Sequence, residues 1–114
     1  MTLQEVAQLV DGEIVCGTGR AQEFVEYGFA SDLMSDVLTQ KRSNFLLITG
    51  LSNNQAIRTA EMSDAQYILF VRHKKATPDM LSLAADNDMV IIQSPFSMFK
   101  AVGILYSAGL RPVY

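Results

Sequence analysis

Residues 45–92 read FLLITGLSNNQAIRTAEMSDAQYILFVRHKKATPDMLSLAADNDMVII, and this stretch decides the fold. It holds three short apolar runs, Phe45 to Thr49, Tyr67 to Val71 and Met89 to Ile92. An unbroken apolar run of this length suits a strand covered on both faces. Between the runs lie two patterns of helical period. Asn53 or Asn54 caps the first, with Ala56, Ile57 and Ala60 turned inward. Pro78 fits the first turn of the second, with Met80, Leu81, Ala84 and Ala85 as its inner stripe. Strands joined by amphipathic helices call for right-handed crossovers and parallel pairing. The stretch therefore predicts an α/β fold, a three-layer α/β/α domain with a mainly parallel sheet of about five strands.

The flanks extend the pattern. Pro95 opens a last helix, with Met98, Phe99, Val102, Leu105 and Tyr106 inward and Gly109 just past its end. Leu110 to Tyr114 is a short tail. Toward the N-terminus, Phe24 to Ala30 alternates, placing Val25, Tyr27 and Phe29 on one face of a strand of the same sheet. Ser31 or Asp32 caps a helix carrying Leu33, Met34, Val37 and Leu38. Thr2 and Glu5 have the spacing of a capping box, Leu3, Val6, Ala7 and Val10 share a helical face, and Gly12 is placed to end that helix. Glu13 to Cys16 is a short strand at an edge or in a hairpin. No repeat or linker interrupts the 114 residues, which read as one domain, 1–114.

Composition excludes several function classes. Hydrophobic residues make up 49% and charged residues 18%, a globular balance. A net charge of −3 argues against a nucleic-acid binder acting through its whole surface. One cysteine and one histidine permit neither an intrachain disulfide nor a Cys/His zinc site, and no metal or cofactor is expected. The N-terminus lacks the basic start and apolar run of a signal peptide. No apolar stretch is long enough for a membrane. The expectation is a cytoplasmic protein with neither membrane nor nucleic acid among its partners.

In a parallel α/β sheet ligands collect beyond the carboxyl ends of the strands, beside helix N-termini. Four loops fall there: Ser31-Asp32 with Ser35 and Asp36 one turn on, Thr49 to Asn54 including Asn53, Arg72-His73-Lys74-Lys75, and Ser94-Pro95 with Ser97. The third is the most distinctive. It either holds a phosphate or carboxylate or is a solvated basic loop. Ser31, Asp32 and Ser35 either accept hydrogen bonds from a ligand or cap a helix. His73 has no serine or cysteine paired with it in the sequence, and Cys16, beside Ile14 and Val15, reads as a structural strand residue. Gly17-Thr18-Gly19 lacks the rest of a phosphate loop.

The segment Tyr27-Gly28-Phe29-Ala30-Ser31-Asp32-Leu33-Met34-Ser35-Asp36-Val37-Leu38 resembles a G-x-A-S-D-L-L-S-D-V stretch of short bacterial DRTGG-domain proteins. Softer similarities run through Ile48 to Ala60 and Ser94 to Leu110. That family is similar to the N-terminal domain of HPr kinase/phosphorylase and to regulatory domains fused to phosphotransacetylase or to nucleotide-sensing parts of some pyrophosphatases. Its stand-alone members often accompany iron-hydrogenase genes. The resemblance implies a compact α/β/α domain, commonly dimeric, with no established catalytic activity. One departure stands out: where many relatives have a Thr-Gly-Gly turn, this chain has Val71-Arg72-His73-Lys74-Lys75.

The resulting expectation is a homodimeric, non-enzymatic regulatory module. It binds a small anionic ligand, such as a nucleotide or phosphorylated metabolite, or a protein partner at the strand-end loops. The site residues are Ser31, Asp32, Ser35, Asn53, Asn54, Arg72, His73, Lys74, Lys75, Ser94 and Ser97. Two alternatives remain. One is an assembly accessory for a redox enzyme or a kinase pathway. The other is a small phosphotransferase or hydrolase, which would need His73 against Ser31, Ser35 or Ser97.

Overall fold

A computed structural model describes residues 1–114. In chain order the elements are α1 (Leu3–Leu9), β1 (Glu13–Cys16), β2 (Tyr27–Ala30), α2 (Met34–Leu38), β3 (Leu46–Thr49), α3 (Asn54–Met62), β4 (Tyr67–Phe70), α4 (Pro78–Asp86), β5 (Val90–Gln93), α5 (Met98–Ser107) and β6 (Arg111–Pro112). They form a six-stranded sheet in the order β1-β5-β4-β3-β2-β6. The five strands from β5 to β6 pair in parallel, and only β1 runs antiparallel, along β5 at the edge. The sixth strand is the Arg111–Pro112 part of the C-terminal segment, which sequence alone gave no reason to separate from a tail.

The central strands carry the sequence signal for a simple reason. Every residue of β3 and β4 is buried, so both faces are apolar except at the end of β3, where the buried Thr49 hydroxyl is hydrogen-bonded to Asp32. Alternate residues feed two cores. Leu46, Ile48, Tyr67, Leu69, Val90 and Ile92 pack toward α1 and α5. Leu47, Phe45, Ile68, Phe70 and Ile91 pack toward α2, α3 and α4. The sheet between two helix layers is the expected α/β/α arrangement. Val25 joins the first core while Tyr27 and Phe29 border the second, because regular strand begins only at Tyr27.

Helix starts follow local chemistry. Thr2 and Glu5 close the capping box of α1, Asn53 caps α3 by accepting from the Ala56 N–H, and Thr77 precedes Pro78 in α4. Four expectations are corrected. The α2 N-cap is Leu33, with no side-chain cap; Ser31 and Asp32 are bonded elsewhere. Asp11, not Gly12, takes the left-handed conformation after α1 (φ 52°). Gly12 is needed for a different reason: a β-carbon there would lie 2.8 Å from the Gln93 carbonyl oxygen. In α5, Ala101 and Leu105 are buried and Met98 and Val102 partly so, but Phe99 is 91% and Tyr106 66% exposed. With 3.6 residues per turn, the stripe through Ala101 and Leu105 turns Phe99 and Tyr106 outward. Ala85 of α4 is likewise exposed and Leu81 only half-buried, because Met80 and Ala84 face the sheet.

Candidate functional site

The carboxyl ends of β2, β3, β4 and β5 bring the four loops to one rim, and hydrogen bonds knit them together. Asp32 follows β2. One of its carboxylate oxygens, Oδ1, accepts from the Thr49 hydroxyl at 2.9 Å and the Gly50 N–H at 2.7 Å. The other, Oδ2, lies 3.4 Å from the Arg72 guanidinium. Arg72 also donates to the Gly50 carbonyl at 3.3 Å and lies across Gly50. A side chain at position 50 would displace that guanidinium. Backbone continues the lattice. The Arg72 N–H donates to the Phe96 carbonyl at 2.7 Å and the His73 N–H to the Ser94 carbonyl at 3.2 Å. The Ser52 hydroxyl donates to the Lys75 carbonyl at 2.7 Å.

Arg72 and His73 both have positive φ, 62° and 59°. Glycine reaches this region freely and other residues at a cost of roughly 1 kcal/mol or more. The backbone at these two positions thus has a shape suited to glycine. Cross-loop bonds from both N–H groups hold it.

The eleven sequence-nominated residues divide by what already occupies them. Ser31 accepts from the Leu33 N–H, and Asp32 and Arg72 hold each other. Asn53 caps α3 and Ser97 caps α5. Ser94 is buried; its hydroxyl donates to the Val10 carbonyl at 2.6 Å and accepts from the Phe96 N–H. These six are structural ties first. Ser35, Asn54, His73, Lys74 and Lys75 are exposed, and the three cationic-type side chains His73, Lys74 and Lys75 take part in no ion pair. His73 makes no hydrogen bond with Ser31, Ser35 or Ser97. Beside the basic loop lies a cleft of about 200 Å³, lined by His73, Lys75, Gln93, Ser94 and Pro95 and also by Asp11 and Glu13. Sequence reasoning missed that acidic wall, because Asp11 and Glu13 reach it only through the antiparallel pairing of β1 with β5.

The strongest electrostatic tie is at the opposite end of the sheet. Arg20 donates to both carboxylate oxygens of Glu23, to Gln66 and to the Asp88 carbonyl, and the Tyr67 hydroxyl donates to Glu23 at 2.8 Å. Bonding to Arg20, then to Tyr67, lowers the Glu23 pKa, and burial, then the Glu23 carboxylate, raises that of Tyr67. The bond to Glu23 raises Arg20. Cys16 donates to the Met89 carbonyl at 3.4 Å, and burial pushes its thiol up. No group of three or more His, Cys, Asp and Glu side chains is gathered as a metal site would require. No helix is long and apolar enough to cross a membrane.

No family model and no curated protein matches the sequence. The fold is similar to a solved structure, that of the CBS and DRTGG domains of the regulatory region of Clostridium perfringens pyrophosphatase, complexed with the activator diadenosine tetraphosphate. The TM-score is 0.76 at 15% identity, over 98% of this chain and 48% of that one. The chain thus spans about half the length of the chain it matches. The likeness supports a DRTGG-like fold and, at this identity, speaks to fold alone.

Proposed function

We propose that this protein is a non-catalytic regulatory module that binds a small anionic ligand at the rim, and that its working form is a pair of identical chains. The observation that carries the ligand reading is the division of labour in the four loops. Six polar residues rigidify the rim, and two side chains of basic type, His73 and Lys75, line a cleft with no intramolecular partner, with Lys74 exposed between them. A preorganised scaffold with unpaired basic side chains at its edge is what anion binding requires, since little ordering cost remains to be met on binding. Arg72 is spent on Asp32, so His73, Lys74 and Lys75 are the anion contacts.

The acidic wall narrows the ligand class. A bare phosphate beside Asp11 and Glu13 would gain nothing from them. A nucleotide would use both walls, phosphate oxygens on the cations and sugar hydroxyls donating to the carboxylates. At about 200 Å³ the cleft is smaller than the ~300 Å³ at which small-molecule sites usually begin, so it would take the sugar-phosphate part and leave the base against the surface. The neighbour's complex with a dinucleoside polyphosphate belongs to that protein, yet it supports choosing nucleotides as the first ligands to try.

The test is titration calorimetry and thermal shift with mono- and dinucleoside polyphosphates, with inorganic phosphate as the comparison. A nucleotide at ~100 times its Kd should stabilise the fold by about 2.7 kcal/mol. Reversing Lys74 and Lys75 to glutamate should weaken binding at least tenfold without unfolding the protein. No heat and no stabilisation across the panel would overturn the ligand reading.

A further inference from the structure

The two outer edges of the sheet differ in charge. At the β1 edge, the cleft that holds His73 and Lys75 also carries Asp11 and Glu13. At the β6 edge lies a second hollow, an open basin of about 520 Å³. Thr39, Lys41 and Arg42, from the loop between α2 and β3, line one part of it, and Val113 and Tyr114, just past β6, line the rest. No carboxylate side chain lines it. Lys41 and Arg42 are exposed, and neither takes part in an ion pair. Arg111 of β6 is bound only loosely, 3.5 Å from Glu26 with both side chains well exposed. A pair of that kind contributes little. Three of the nine Lys and Arg residues thus gather at one edge of a protein whose net charge is −3.

Local packing holds these groups in place. The Arg42 guanidinium lies over the Tyr27 ring, 3.9 Å from its centre, and that of Arg111 lies 5.9 Å from the same centre. A guanidinium resting on a ring keeps its N–H groups free, because they point outward in its own plane. Tyr27 is fixed in turn: it pairs in register with Arg111 and borders the core under α2, α3 and α4. Tyr114 is 89% exposed, and its ring lies 6.2 Å from that of Phe29, centre to centre. The edge is closed to an added strand, since β6 is two residues long and its second residue, Pro112, has no N–H to donate.

We infer that this basin is a second anion site, separate from the rim cleft, and that it takes a phosphate monoester carried on an aromatic ring. The inference goes beyond the rim reading and does not depend on it. Charge selects the anion: two unpaired cations stand together with no carboxylate side chain between them, whereas Asp11 and Glu13 oppose a bare dianion at the rim. Donor geometry selects phosphate. The guanidinium fork of Arg42 suits two oxygens of a tetrahedral group, and the Lys41 ammonium suits a third. Size selects a small molecule, since the basin falls within the ~300–1,000 Å³ of small-molecule sites. Tyr114 selects the ring, because it offers an uncovered aromatic face beside the cations.

Phenyl phosphate is the probe, titrated into the isotope-labelled full chain and followed by the backbone amide resonances, with phenol and inorganic phosphate as comparisons. Saturable shifts are expected at Lys41, Arg42, Val113 and Tyr114. Phenyl phosphate should bind about tenfold more tightly than either comparison, and its affinity should fall as salt is raised. Lys41→Glu combined with Arg42→Glu should weaken it by about tenfold or more, while Lys74→Glu combined with Lys75→Glu should leave it within about twofold. Arg42→Lys keeps the charge and loses the fork, and should weaken it by about threefold. Shifts confined to His73, Lys74 and Lys75 would overturn this site and leave the rim reading standing. No saturable shift at residues 39–42 and 113–114 with millimolar probe, or undiminished binding by the charge-reversed variant, overturns the site as well. Equal affinity for inorganic phosphate overturns the aromatic ester as its ligand. Should the double reversal misfold, Arg42→Gln takes its place under the same criteria.

Discussion

Ser94→Ala separates a structural role from a binding one. Ser94 is 2% exposed and sits between β5 and the start of the α5 loop. Its hydroxyl donates to the Val10 carbonyl, at the end of α1, and accepts from the Phe96 N–H. Alanine fills nearly the same volume, so packing is almost unchanged. The loss is of hydrogen bonding, and Val10 is fully buried. An unsatisfied buried polar group costs about 1–3 kcal/mol, so the substitution should lower stability by about 2 kcal/mol. For a chain of this length that is roughly 8 °C in Tm. Urea unfolding followed by circular dichroism measures it; the midpoint should fall with the slope unchanged, since the area exposed on unfolding is the same. Ser97→Ala is the control. It removes an exposed cap and should cost about 1 kcal/mol or less. A Ser94→Ala loss under ~0.5 kcal/mol would refute the reasoning, because the Val10 carbonyl would then have another partner.

Three further outcomes are expected. Gly12→Ala drives a β-carbon against the Gln93 carbonyl oxygen, a backbone atom unable to swing aside, and should cost about 1–3 kcal/mol in chemical denaturation; unchanged stability would show that β1 can slide on β5. His73→Gly relieves a left-handed residue with no side-chain bond, so stability should hold or rise by about 0.5 kcal/mol, while a loss above ~1 kcal/mol would mean the imidazole is anchored. The Glu23 and Tyr67 shifts set opposite pH limits. Glu23 is depressed, so its contribution is present above its unfolded pKa and is lost as acid takes the pH through the lower folded value. Tyr67 is raised, so stability falls as pH climbs from its ordinary value of 10 toward the folded one. Tyr67→Phe should flatten the alkaline limb of a Tm-against-pH curve, and an unaltered limb would count against the Tyr67–Glu23 bond.

The sequence by itself determined the sheet and its layers. Runs such as Leu46–Ile48 and Ile68–Phe70 are apolar at every position because both faces are covered, and that requirement is written residue by residue. Caps were legible where a side chain bonds a backbone group three residues away, as at Thr2 and Asn53. The gathering of four loops at one rim also followed, from parallel strands alone. What sequence could not assign is anything set by contacts across the chain. Ser31 and Asp32 looked like caps for the next helix, but Asp32 is held by Gly50 and by Arg72, forty positions away. Positive φ at Arg72 and His73 carries no glycine to announce it, because bonds to Phe96 and Ser94 impose it from another loop. The acidic wall of the cleft depends on where β1 attaches. The outward turn of Phe99 and Tyr106 depends on which stripe of α5 meets the sheet; period alone offers both neighbouring stripes, and the packing of Ala101 and Leu105 decides between them. Local chemistry lies within a few residues and can be read along the chain. Partnerships between distant residues cost chain entropy to form, and only the assembled core determines which of them do.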